Sequence, residues 1–415
     1  MANTRAFWRV VQGDFDSRYW SSYDGWTQPH AGHYVYALVL RAAGITPDML
    51  HKRCVHGKST QWNFLHGRIP SKKVLLTGRR FSALCGALAC ILLCEIGRRV
   101  FGWLVGLVAA CWLALNPLMR YVCQRAMIDG QVSLALVAGI LLMLVLFGAW
   151  QRRAWWSVLL ISVGVGAFFG LTAGLKINGG VLCAIAIASL PFYGLGLYLQ
   201  SHRGERPVRP PLKGMLTAVS SVAIVCSAAM GTFYGLNPQM WPVGIYEGAK
   251  ITIDLRQSDV AGQQVRHSYA RLTSSAQRIG AAADMYFVQW PTLRWSPIGD
   301  FQSAHRAGAK RHGLWPIEGF LFLTGLVGLA GALLGRARRE HRIDGACIIA
   351  LWLGVYSAFV FLMVPLLWPR YYQKYLPLQA LLVGIGVWTL IELLRRVRSM
   401  RRCGSGDSPS KAEGG

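Results

Sequence analysis

Three groups of polar residues interrupt otherwise apolar stretches at positions where chemistry could be done. Asp129 closes the stretch Asn116-Pro117-Leu118 through Ile128-Asp129-Gly130, at the mouth of an apolar run. An ionisable group at that depth is a functional candidate by default. As an anion at a helix start, Asp129 also suits a capping role, and the two readings are compatible. Lys176 sits in the short polar break Gly174-Leu175-Lys176-Ile177-Asn178. Trp368-Pro369-Arg370-Tyr371-Tyr372-Gln373-Lys374-Tyr375 combines cations with aromatic rings. Its Trp and Tyr fit an interfacial belt, and Arg370 serves equally as a membrane anchor or as a planar fork for phosphate. Fixed cations and a carboxylate on one face would suit an anionic lipid head group, held by the cations and attacked with help from the acid.

The elements that must position these residues are membrane spans. Hydrophobic residues make up 53% of the 415-residue chain and charged residues only 15%, with 44 basic residues against 18 acidic ones. A bilayer core requires roughly 20 apolar residues per helix. Candidate spans lie near 79–96, 101–119, 131–149, 155–173, 177–199, 215–236, 316–335, 345–367 and 375–394. The fourth and fifth form either a tight hairpin or a broken helix. If each crosses once, Arg98 and Arg99, Arg152 and Arg153, the 200–214 and 336–344 connectors and Arg395–Arg402 all fall on one side. Excess Lys and Arg mark that side as cytoplasmic. The opposite face then receives residues 1–78, the loop 120–130, Lys176, the segment 237–315 and the connector 368–374.

The expected organisation is an extracytoplasmic first-loop region over 1–78, a transmembrane core over 79–236, an extracytoplasmic helical loop over 237–315, C-terminal transmembrane helices over 316–394, and a basic then disordered cytoplasmic tail over 395–415. Residues 33–44 are apolar but too short to span, and suit an interfacial helix. The ten cysteines show no metal-ligand spacing, and most lie within apolar runs as small hydrophobes. His30 and His33 form a close pair better suited to an interface than to a metal site. The positive charge is accounted for by topology, so nucleic acid is not an expected partner.

The order of several motifs resembles the bacterial protein O-mannosyltransferase-like glycosyltransferases of family 39, with the GT-C fold. They are Arg80-Phe81-Ser82, Gly97-Arg98-Arg99-Val100-Phe101-Gly102, Asn116-Pro117, Arg125-x-x-x-Asp129, Gly170-Leu171-x-x-Gly174-Leu175-Lys176 and Arg370-Tyr371-Tyr372 before Pro377. Gln28-Pro29-His30 and Asn237-Pro238-x-x-Trp241 are similar to further family segments. The resemblance implies an all-α polytopic bundle of about nine transmembrane helices with an extracytoplasmic helical loop. It implies a hexosyltransferase in a bacterial inner membrane, moving a mannose-like sugar from a polyprenyl-phosphate donor to a protein, lipid or glycan acceptor on the extracytoplasmic face. Arg125, Lys176, Arg370 and Tyr371 would bind the donor phosphate, and Asp129 would assist catalysis. No cofactor is evident, and a divalent metal stays open.

The sequence departs from the family pattern at its start. Members begin with a transmembrane helix followed by an acidic pair, whereas this chain has no span before residue 79. Asp14 and Asp16 are either a displaced version of the catalytic acids, with Asp24 a further candidate, or ordinary loop acids in a chain that has lost its first helix. The second alternative leaves an inactive truncated homologue open. A transporter or flippase would place charges at mid-membrane and show an internal repeat, and neither is present.

Overall fold

The computed structural model describes residues 5–20, 22, 25–26, 29–50, 55, 58–125, 128–152, 154–202, 210–266, 268–291, 309–311, 315–339, 345–367 and 369–404. Asp24, Arg153, Trp368, residues 203–209 and 340–344 of the two connectors and the tail from 405 lie outside these residues.

Four short or moderate helices lead the chain to the membrane. They are α1 (Arg5–Gln12), α2 (Ala31–Ala42), α3 (Thr60–Leu65) and the long α4 (Lys72–Phe101), which is the first span. Ser71 caps α4 by accepting from the Val74 amide. A 30-residue helix is about 45 Å long, more than the hydrocarbon core requires. Helix α4 thus begins before the predicted 79.

The second predicted span, 101–119, is not one straight helix. It divides into α5 (Trp103–Leu115) and α6 (Pro117–Cys123), bent by 62°. The cause is local. Pro117 cannot donate the backbone hydrogen bond that would continue α5, but it fits the first position of a new helix. Asn116 caps that helix, its Oδ1 accepting from Leu118 N and Met119 N at 3.0 and 3.1 Å.

Four further spans follow: α7 (Asp129–Arg152), α8 (Trp155–Leu175), α9 (Val181–His202) and α10 (Pro211–Gly235). The break at Lys176 is a hairpin through a 3-10 turn, Ile177–Gly180. Helices α11 (Gly244–Arg266) and α12 (Ser275–Ala283) follow in the segment between the spans. The last spans are α13 (Trp315–Arg339), α14 (Gly345–Met363) and, after the single turn α15 (Pro369–Tyr372), α16 (Leu376–Gly404). Helix α14 stops before the predicted 367 because Pro365 disfavours helix in the residue preceding it. Among the described residues the structure is helical apart from an antiparallel ribbon pairing Gln289–Pro291 with Ala309–Arg311 and an isolated bridge between Arg271 and Leu366.

Eight described helices are long and apolar enough to span, or nine if the bent pair counts as one. The chain is a multi-pass membrane protein. Helices α7 and α16 are the most enclosed, and α13 lies at the periphery. Helix α8 packs along α10, α4 along α5, and α13 along α16. A cluster of polar groups inside the bundle pairs internally, as suits a lipid environment. Trp150 Nε1 donates to Ser221 Oγ at 2.8 Å, Ser221 and Ser162 share a hydroxyl bond of 2.6 Å, and Tyr193 OH donates to the Trp150 carbonyl at 3.0 Å.

Candidate active site around Asp129 and Lys176

The bend at Asn116-Pro117 turns the chain sideways, so the following loop delivers Asp129 as the first residue of α7. Its carboxylate is almost wholly enclosed, with a side-chain exposure of 4%. Lys176 follows the last turn of α8 in extended conformation, φ −161° and ψ 135°, which releases its side chain from the helix. Its Nζ donates to Asp129 Oδ1 at 2.5 Å, with the ammonium stem 28% exposed. A buried carboxylate is costly without a partner, and this contact supplies one.

Helix α2 packs over the same place because small residues let it approach. A Cβ on Gly32 would lie 2.7 Å from Ile128 Cγ2, just before Asp129. On the other side, a Cβ on Gly130 would sit 3.1 Å from the Ser82 carbonyl of α4. Tyr36 of α2 is buried and shares a 2.5 Å hydroxyl bond with Ser82 Oγ. Burial first, then nearby Asp129 and cysteine groups, hold its phenol above the ordinary tyrosine range, against an opposing effect of the Ser82 bond.

A fourth element reaches Asp129 from the connector before α16. The Gln373 amide is buried and donates from Nε2 to the Asp129 backbone carbonyl at 3.1 Å and also to Ser133 Oγ one turn along α7. Sequence reasoning missed Gln373, Tyr36 and Ser82. An uncharged amide or hydroxyl gives no signal beside the cations of its own segment, although Gln373 lies within the connector singled out above.

The other expected site residues separate. Arg125 stacks its guanidinium 3.9 Å over the Tyr121 ring. Tyr371 OH donates to Gln263 Oε1 at 3.5 Å, which joins the connector to α11. Arg370 lies in α15 by its backbone, and its side chain is outside the described residues. Asp14 and Asp16 are solvent-exposed beyond α1, unlike the enclosed Asp129. Among the described residues no group of three or more His, Cys, Asp and Glu could hold a metal ion.

Beside the site, between α1, α2 and the C-terminal ends of α8 and α10, lies an apolar cavity of about 350 Å³. Its walls include Phe7, Tyr34, Leu38, Leu171, Leu236 and Trp241. His30, just before α2, packs against Tyr19, Trp20 and Tyr34, and the buried His33 in the first turn of α2 lies against His30. His30 shares a 3.0 Å hydrogen bond with the Gly25 carbonyl.

Residues 71–227 match the family model described as dolichyl-phosphate-mannose-protein mannosyltransferase. The matched region holds Asp129 and Lys176; Arg370 and Gln373 lie beyond it. No curated protein matches the chain. Among solved structures, the chain is similar to the Archaeoglobus fulgidus oligosaccharyltransferase in its apo form, at 12% identity and a TM-score of 0.47, covering 91% of this chain and 44% of that one. It is also similar to ArnT from Cupriavidus metallidurans in the apo state, at 14% identity and a TM-score of 0.42, covering 87% and 49%. The chain thus spans less than half the length of these structures.

Proposed function

We propose, from the match of residues 71–227 to the dolichyl-phosphate-mannose-protein mannosyltransferase family model, that the chain transfers a mannose-like sugar from a polyprenyl-phosphate carrier to an acceptor hydroxyl on the extracytoplasmic face. The observation that carries this proposal is the enclosed Asp129–Lys176 contact at the ends of two spans. A carboxylate and a cation at one membrane surface meet the two demands of the reaction. The acceptor oxygen attacks the anomeric carbon, and its proton passes to Asp129. The anomeric carbon–oxygen bond to phosphate breaks, and the carrier phosphate leaves with the electron pair toward Lys176.

The pairing also orders the events. Without substrate, Lys176 neutralises Asp129. A donor phosphate competes for the ammonium and frees the carboxylate to accept a proton. The apolar cavity beside Leu171 suits an isoprenoid segment of the donor, since its walls offer hydrocarbon rather than charge. Arginine-rich ends of α4, α13 and α16 belong to the cytoplasmic side on this reading, which puts Asp129 outward.

The test is transfer of labelled sugar from a polyprenyl-phosphate donor by the protein reconstituted in liposomes. Asp129→Asn should lower turnover by about 10²–10⁴ while leaving the protein folded. Wild-type turnover in that variant would overturn the assignment of Asp129.

A further inference from the structure

Between Asp48 and Glu95 the sequence contains no acidic residue, but it has Lys52, Arg53, Lys58, Arg68, Lys72, Lys73, Arg79 and Arg80. The run leads into the first turns of α4 on the face opposite the arginine-rich connectors, so the positive-inside rule gives no reason for it. Its fold supplies one. Helix α3 is capped by Ser59, whose Oγ accepts from Trp62 N at 3.1 Å. Asn63 is fully buried beneath it and fixes the turn, donating to the Val55 and Ser59 carbonyls at 3.2 and 3.1 Å and accepting from Val55 N at 2.9 Å.

This anchored turn pushes Phe64 and Leu65 outward, 68% and 72% exposed. Cations flank them along the chain. Lys58 and Arg68 lie 5.7 and 5.5 Å from the Trp62 ring centre, and Lys72, Lys73, Arg79 and Arg80 are exposed on α4. Leu65 is joined to Ser71, the cap of the span, by a segment that reaches at most about 20 Å. The exposed pair is therefore tethered within reach of the head groups.

We propose that residues 58–73 form a foot that docks on anionic phospholipid in the leaflet at the Asp129 end of the bundle. Phe64 and Leu65 insert among the upper acyl carbons, while Lys58, Lys72 and Lys73 meet lipid phosphates. Apolar tips with a cationic rim match a charged leaflet better than an acidic protein, which would leave the tips in water. The foot also steadies α2. Leu40 and Ile45 share a small core with Val74 of α4, and Lys73 Nζ donates to the Gly44 carbonyl at 3.5 Å.

Hydrogen exchange on the full chain tests this in nanodiscs of pure phosphatidylcholine and of phosphatidylcholine with phosphatidylglycerol. Amides in 60–68 should exchange about tenfold more slowly in the anionic discs, and high salt should remove much of the difference. Phe64→Ser/Leu65→Ser and Lys58→Glu/Lys72→Glu should each abolish it while exchange in the spans is unchanged. Equal exchange in the two discs would overturn the proposal. So would protection by an added acidic peptide in neutral discs without any response to phosphatidylglycerol. A photo-crosslinker at position 64 gives a second measure: it should label lipid, and labelling only of protein would equally reject the foot.

Discussion

Asp129 and Lys176 lie 47 positions apart and meet at 2.5 Å, so each determines the cost of changing the other. Removing only the ammonium leaves an enclosed carboxylate without its cation. Removing both leaves two neutral side chains and no enclosed charge. Lys176→Met should therefore destabilise the protein by about 1–3 kcal/mol, a value reduced from that of a fully buried pair because the lysine retains solvent contact. Asp129→Asn/Lys176→Met should recover much of that loss, as read by thermal unfolding in detergent. If the double variant is less stable than Lys176→Met alone, the pair is not the source of the cost. These two residues were legible in the sequence because charge is conspicuous within apolar runs. Their pairing was not, since it depends on how two hairpins approach. Asp14 and Asp16 illustrate the converse: acidic type made them candidates, but exposure separates them from the enclosed site.

At the scale of elements, the stretch after α14 links the segment of α11 and α12 to the site. Once Pro365 ends the helix, Val364–Leu367 runs extended and joins that segment. Leu272 N donates to the Pro365 carbonyl at 3.0 Å, Leu367 N to the Ala270 carbonyl at 2.8 Å, and Arg278 Nε to the Val364 carbonyl at 2.9 Å. A few residues later Gln373 holds the first turn of α7 through Asp129 and Ser133. Gln373 thus positions Asp129 without touching its carboxylate. Gln373→Ala should lower kcat by about tenfold and leave KM for the lipid-linked donor within about twofold, because orientation is lost rather than binding. A rise in KM with unchanged kcat would instead make Gln373 a binding residue. The spans themselves were legible from hydropathy, and Lys176 from the break between two of them. The extended strap and the bend at Asn116-Pro117 were not, because both apolar runs continue through their prolines and window hydropathy does not register a lost backbone donor.

For the molecule as a whole, the alternation of charge from loop to loop makes the bundle's two ends chemically different, and the Asp129 end is also where buried histidines lie. Burial lowers His30 to about 4 and His33 to about 3, from an ordinary value near 6.5. Opposing effects at His30 come from its bond to Gly25 and from Gln239. Both folded values are below the unfolded one, so during acidification the unfolded chain takes up protons first. The stability contributed by these neutral rings is complete above about pH 6.5, declines as pH falls below it, and stops declining near pH 4 for His30 and pH 3 for His33, where the folded protein also protonates. From about pH 7 to about pH 5 the loss should be roughly 1–2 kcal/mol per histidine. Thermal unfolding in detergent at those two values should therefore show a drop, and His30→Gln/His33→Gln should show a smaller one. The comparison uses the change with pH rather than absolute stability, because glutamine in place of a buried ring also costs packing. Carboxylates that titrate in the same window contribute equally to both proteins and cancel. An identical drop in the variant would remove the histidines as its cause. A smaller drop would identify the buried histidine pair as an acid-sensitive part of the Asp129 end of the bundle.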